Sequence, residues 1–179
     1  ARIYRQMATL NKAARDVMVQ YRVHSCTDVT GFALLGHSFE MAQGSGCTIH
    51  LQSGSIPYHA EALELADMGF IPAGAYRNRD YAENGVTVKN GISRTIQDLL
   101  YDPQTSGGLL MAVAEADASD CLRQLQDTIP AAAAVGRGRG RGRRALVPLD
   151  GCLSPLARAR RRAPVPEPLS GRSAVPGDR

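Results

Sequence analysis

At Gly136 the sequence changes kind, and that break bounds what can fold. Ahead of it, apolar residues recur at helical or strand spacing. Behind it, "RGRGRGRRALVPLDGCLSPLARARRRAPVPEPLSGRSAVPGDR" holds eleven arginines, no lysine and six of the ten prolines, with no sustained apolar period. Such a segment cannot bury enough surface to offset chain entropy. The expected division is therefore a folded domain over 1–136 and a disordered tail over 137–179. Two origins fit the tail. Arg-Gly repeats occur in nucleic-acid-binding tails, where arginines give salt-sensitive RNA affinity. An out-of-frame read of GC-rich DNA would give the same composition, so nucleic acid is a partner only if the tail is genuine.

The formal charge of +4 averages two unlike parts. Residues 1–136 carry ten Lys and Arg against fourteen Asp and Glu, a balance of −4, so the basic pI belongs to the tail. The four cysteines (Cys26, Cys47, Cys121, Cys152) form no CxxC pair, which argues against a zinc site or a disulfide-stapled secreted scaffold. No apolar run approaches the length of roughly 18 residues that a membrane span needs. No signal peptide is recognisable. A start at Ala1, running at once into helix-like sequence, is what a piece of a longer cytoplasmic protein would show.

Periodicity predicts alternating elements. "LNKAARDVMVQY" places Leu10, Ala14, Val17, Met18 and Tyr21 on one helical face, and a second helix is expected over 31–42, ended by "GSG". "CTIHL" alternates as a strand does. "HAEALELADMG" reads as a helix with Gly69 just past its end, followed by a loop rich in Gly, Asn and Arg. "VTVKNG" is a short strand and turn, "SRTIQDLL" one or two helical turns, "LLMAVA" a buried strand, "EADASDCLRQLQD" a helix and "AAAAVG" a last strand. The fold class is α/β or α+β, a mixed sheet with packed helices.

Two motifs carry possible chemistry. In "SCTDVTGFALLGH", Asp28 stands between hydroxyl residues just ahead of an apolar helix. Residues of this type usually cap helices. Thr30, next to Gly31, is better placed for that, which leaves Asp28 outside the helix and able to face a cation. Mg²⁺ prefers oxygen ligands and, when phosphate-bound, takes one or two protein carboxylates. Gly31 would let backbone approach a bulky anion. In "DPQTSGG", Asp102-Pro103 starts a turn and Gly107-Gly108 allows positive φ or close approach before a strand. That loop is either structural or a cradle for an anion or neighbouring domain, built from backbone N–H groups with Gln104, Thr105 and Ser106. Histidines 24, 37, 50 and 59 show no metal spacing; only His37 lies at helical offset from Gly31. The cysteines read as buried small hydrophobes rather than nucleophiles.

"TDVTGFALLGH", "EMAQGSG", "IPAGAYRN" and "LLYDPQTSGGLLMAV", in that order over about 1–136, closely resemble the C-terminal half of selenophosphate synthetase (selenide, water dikinase) of the bacterial type. That family belongs to the aminoimidazole ribonucleotide synthetase-like superfamily. The resemblance implies a C-terminal α/β domain of that fold, closing over the phosphates of ATP bound mainly by an N-terminal half. It implies ATP and selenide as substrates, selenophosphate, AMP and phosphate as products, and a homodimer formed through the N-terminal half. It makes Asp28 a Mg²⁺ ligand; Thr30, Gly31, Gln104, Thr105, Ser106, Gly107 and Gly108 remain candidates for the phosphate or the domain interface on the reading of the turn and loop given above. The family's reactive Cys or selenocysteine, its Lys and its Gly-rich loop would lie upstream of residue 1. No catalytic residue is therefore expected within this chain, which would be inactive alone. Ala33 stands where the family usually has Gly.

Overall fold

The computed structural model describes residues 2–141 and 147–150. Helix α1 (Arg2–Ala8) and helix α2 (Lys12–Met18) lead into strand β1 (Val23–Asp28). Then come α3 (Ala33–Ser45), β2 (Cys47–Gln52), α4 (Ala60–Asp67), α5 (Ala73–Ala82), β3 (Val86–Val88), α6 (Arg94–Leu100), β4 (Leu109–Val113), α7 (Glu115–Thr128), β5 (Gly136–Arg141) and β6 (Val147–Asp150). Helices and strands alternate as expected. Gly46 and Gly69 take left-handed φ of 59° and 85° just past α3 and α4, where only glycine avoids a Cβ penalty.

The strands form two sheets. β1 and β4 make an antiparallel pair, with Asp28 opposite Leu109 and Cys26 opposite Met111. The larger sheet has the order β3-β6-β2-β5; β6 runs parallel to β3 and β2, while β5 runs antiparallel to β2. Each sheet has its own core. Leu35 of α3, Leu51 of β2 and Leu100 of α6 centre the larger one, with Ile56 and Tyr101 from the segments that follow β2 and α6. Each Leu taken fully from water there contributes about 1.5–3 kcal/mol. The smaller core sets Ala14 and Val17 of α2 and Cys121 and Leu125 of α7 against Leu109, Met111 and Val113 of β4. No helix among the described residues is long and apolar enough to cross a membrane.

Four expectations give way. The stretch after Gly69 is not all loop: α5 fills it, because Ala75, Asn78 and Ala82 recur at helical spacing and bury one face. β1 was hidden by its hydroxyl and acidic residues, although its burial alternates along its length. "AAAAVG" does not form the last strand; alanine offers little to a pleated surface, and β5 runs from Gly136, with Val135 joined to β2 only through its carbonyl, which accepts from the Gln52 N–H. The Arg-Gly run from Arg137 to Arg141 is therefore strand rather than tail, since a backbone ladder needs no apolar side chains. Residues 147–150 also join the sheet. The expectation of disorder for 142–146 and 151–179, Cys152 included, falls outside the described residues.

Candidate anion and cation site at the end of strand β1

Alternation along β1 decides what its end presents. His24, Cys26 and Asp28 are exposed, while Val23, Ser25 and Thr27 are half-buried. Asp28 is the last residue of the strand, and among the described residues its carboxylate has neither a hydrogen-bond nor an ion-pair partner. An exposed carboxylate at a strand end, with its oxygens uncommitted, suits a hard cation. No group of three or more His, Cys, Asp or Glu among the described residues could enclose one. Asp28 could thus serve Mg²⁺ as a single protein ligand, with phosphate and water to supply the other oxygens.

The next residues are held by the 102–108 loop. The Val29 N–H donates to the Gly108 carbonyl at 2.9 Å, and the Gln104 N–H donates to the Thr30 carbonyl at 3.0 Å. The Asn11 amide, just ahead of α2, donates to the Gly107 carbonyl at 3.0 Å. A Cβ on Gly107 would lie 2.1 Å from the Val29 carbonyl oxygen, so this glycine serves close approach and not positive φ. The two motifs, about 75 residues apart in sequence, form one latch.

Thr30 does not cap α3. The helix begins at Ala33 after Phe32, with no side-chain cap, because the Thr30 hydroxyl is engaged elsewhere. It lies 3.2 Å from His37 Nε2, and His37 Nδ1 lies 2.9 Å from Glu40 Oε2. His37 is buried, and a carboxylate beside Nδ1 holds the proton there, leaving Nε2 to accept from Thr30 while the ring is neutral. A groove of about 330 Å³ opens beside this chain of bonds, lined by Ser25, Cys26, Thr27, His37, Glu40 and Met41 among others. Phe32 stacks on Tyr81 at 5.0 Å and meets His37 edge-on at 5.7 Å, which fixes the turn from its other side.

Gly31 is open, with nothing within 4 Å of an added Cβ, and its carbonyl accepts from Asn78 at 2.8 Å. Thr105 and Ser106 are exposed. The Gln104 amide folds back onto the Asp102 carbonyl and carboxylate, at 2.9 and 3.2 Å. Burial pushes the Asp102 carboxyl up from its usual range, against the Gln104 hydrogen bond. Burial also pushes the Cys26 thiol up, and the nearby Asp28 charge adds to it, so Cys26 is exposed but stays a thiol at neutral pH. Cys121 is buried as expected. His59 pairs with Gln6 and is remote from the latch in sequence.

Sequence reasoning missed Asn78 and Glu40. Asn78 is buried on α5, and its amide also donates to the Tyr101 carbonyl at 3.0 Å, tying α5 to the Gly31 turn and the end of α6. Its signal is a polar residue inside the Ala75, Asn78, Ala82 stripe. Glu40, three residues after His37, carried the same kind of signal.

A family model described as AIR synthase related protein, C-terminal domain, matches residues 4–147. The chain is 49% identical over 136 residues to a protein of Pelobacter propionicus named selenide, water dikinase, covering 75% of this chain and 39% of that relative. It is 53% identical over 107 residues to selenide, water dikinase 2 of Peptoclostridium acidaminophilum, covering 60% and 30%. It is 48% identical over 131 residues to a relative of the same name from Clostridium botulinum, covering 73% and 38%. The chain thus spans less than two fifths of the relatives it matches. With that match spanning both latch motifs and strands β1 to β5, the chain belongs to the family of AIR synthase related proteins, as a C-terminal domain of that family.

Proposed function

We propose that this chain is the C-terminal domain of an ATP-dependent selenide, water dikinase, making selenophosphate with release of AMP and phosphate. The observation that carries the reading is the uncommitted Asp28 carboxylate at the end of β1, beside a turn that the 102–108 loop holds by backbone hydrogen bonds. Mg²⁺ held there would neutralise phosphate charge so that an anionic nucleophile could approach. Within the chain, Asp28 supplies one cation ligand, and Gly107 and Gly108 hold Val29 and Asn11. Thr30, Gly31, Thr105 and Ser106 face the phosphates or the missing half. Gln104 acts through its backbone N–H, which fixes Thr30. The remaining nucleotide contacts, the reactive group and the homodimer contact belong to the missing N-terminal half, in a cytoplasmic enzyme. In this reading the domain extends beyond residue 136 to take in β5 and β6, which lie in the larger sheet.

A chimera tests this. Residues 1–150 would replace the matched segment of the Pelobacter propionicus relative, and AMP formed from ATP would be measured with and without selenide. The expected result is selenide-dependent AMP, falling about 100-fold or more in the Asp28→Asn chimera. A folded chimera without activity, or one indifferent to Asp28→Asn, would overturn the proposal.

A further inference from the structure

The Arg-Gly run plays no part in the site above, yet the structure gives it an ordered place. Gly136–Arg141 is β5, the edge strand of the larger sheet, beyond which no described strand lies. Pairing sets Gly136 against Leu51, Arg137 against His50, Gly138 against Ile49 and Arg139 against Thr48. Strand alternation then puts Arg137 and Arg139 on one face, about 7 Å apart at roughly 3.4 Å per residue. Both are exposed, and neither has a carboxylate partner among the described residues.

The backbone supports the same partner. Gln52 N–H donates to the Val135 carbonyl at 2.8 Å, which makes those two residues a hydrogen-bonded pair of the antiparallel ladder. Alternation makes the pairs of His50 with Arg137 and Thr48 with Arg139 hydrogen-bonded as well. The N–H and C=O groups of Gly136 and Gly138 therefore turn outward along the free edge, with no side chain of their own to shield them. The edge thus offers outward backbone groups at Gly136 and Gly138, with the two arginines rising beside them from one face of the strand. Its arginine repeat is comparable to one extended nucleotide. The rest of the folded part, 1–136, is net negative, so this edge is a local positive feature on an acidic body.

We infer that the outer edge of β5, through Arg137, Arg139 and the Gly136 and Gly138 amides, is a docking edge for the sugar-phosphate backbone of single-stranded nucleic acid. The arginines meet successive phosphates, and the glycine amides donate between them. One row of donors follows one strand; a duplex would need a second row across a groove. The inference does not depend on the proposed enzymatic role.

Fluorescence anisotropy of a labelled oligouridine of about twelve nucleotides, within ordinary single-strand site sizes, tests it on the whole chain. Arg137→Thr/Arg139→Thr keeps strand formers at both positions. It should weaken binding about tenfold near 0.1 M salt and lower the slope of log affinity against log salt by about 1.4, at roughly 0.7 per phosphate. Arg137→Lys/Arg139→Lys keeps the charge and should retain the slope, and it serves as the folded comparison should the threonine pair lose structure. An unchanged slope in the threonine pair would overturn the inference. So would a loss of slope in the lysine pair, or equal affinity for duplex RNA or for an acidic peptide.

Discussion

Ala33 is the one non-glycine residue among those described with a left-handed backbone, at φ 62°, and it is fully buried at the start of α3. An L side chain there costs about 1–2 kcal/mol. Glycine would remove that strain but lose a buried methyl worth about 0.8 kcal/mol and add unfolded-chain entropy worth about 0.4–1 kcal/mol. The terms nearly cancel, so Ala33→Gly should shift stability by less than about 1 kcal/mol in either direction. Ala42 is equally buried but lies inside the same helix. Its change to glycine loses the methyl and about 1 kcal/mol of helix propensity, with no strain to recover, for a cost of about 2 kcal/mol. Urea melts of the two variants check the contrast, and equal losses would mean that Ala33 carries no strain. Much at this scale was legible beforehand. The "DVTGFALLGH" context marked both Asp28 and the oddity at Ala33. The role of the Thr30 hydroxyl was not legible, because it depends on His37 turning back one helical turn to meet it. Local spacing puts the two side chains within reach, but only the packed structure says that they meet.

The latch between β1 and the 102–108 loop makes a sharper test, because its two glycines are adjacent and differ in surroundings. A methyl at Gly107 meets the Val29 carbonyl oxygen, while one at Gly108 finds open space. Neither glycine needs positive φ. Gly107→Ala should therefore cost about 1–3 kcal/mol as an overpacked backbone contact, and Gly108→Ala should be close to neutral. Hydrogen exchange locates the damage. The Val29 and Gln104 amides, which bond across the latch, should lose protection in the first variant and keep it in the second. Equal behaviour would mean that the segments are not held against one another here. Elements whose own residues announce them were readable: α3, α4, α7 and β2 follow their apolar periods. β1 was not, since its half-buried residues Ser25 and Thr27 are polar and only the cover of neighbouring elements makes the strand amphipathic. α5 was masked by Gly74, Asn78 and its arginines, yet its buried stripe is of small residues. Arg79, which looks like a solvent-facing residue, in fact pairs with the buried Asp98 and lies 4.9 Å over the Tyr101 ring.

Taken whole, the chain folds two cores and a latch between two sequence motifs, but its described part offers little with which to hold a triphosphate. ATP carries about four negative charges, and phosphoryl transfer depends on positioning and neutralising them. Against that stand the Asp28 carboxylate for a cation, exposed hydroxyls at Thr105 and Ser106, and no cluster able to enclose a metal among the described residues. Cys26 and Cys121 offer no activated thiol: both are pushed upward by burial first and a neighbouring aspartate second. The purified chain should accordingly form no AMP from ATP, selenide and Mg²⁺ above the rate without protein. The chimera carrying the same residues 1–150 should form it. The pair of measurements separates two failures. Silence from the chain beside an active chimera means that this half is competent and incomplete. AMP from the chain alone would mean that a nucleotide site and a reactive group lie within these 179 residues, and the assignment of both to a missing half would be wrong. Hydrogen exchange on the chain alone shows whether the Val29–Gly108 latch is formed without its partner, so that inactivity is not read from an unfolded sample.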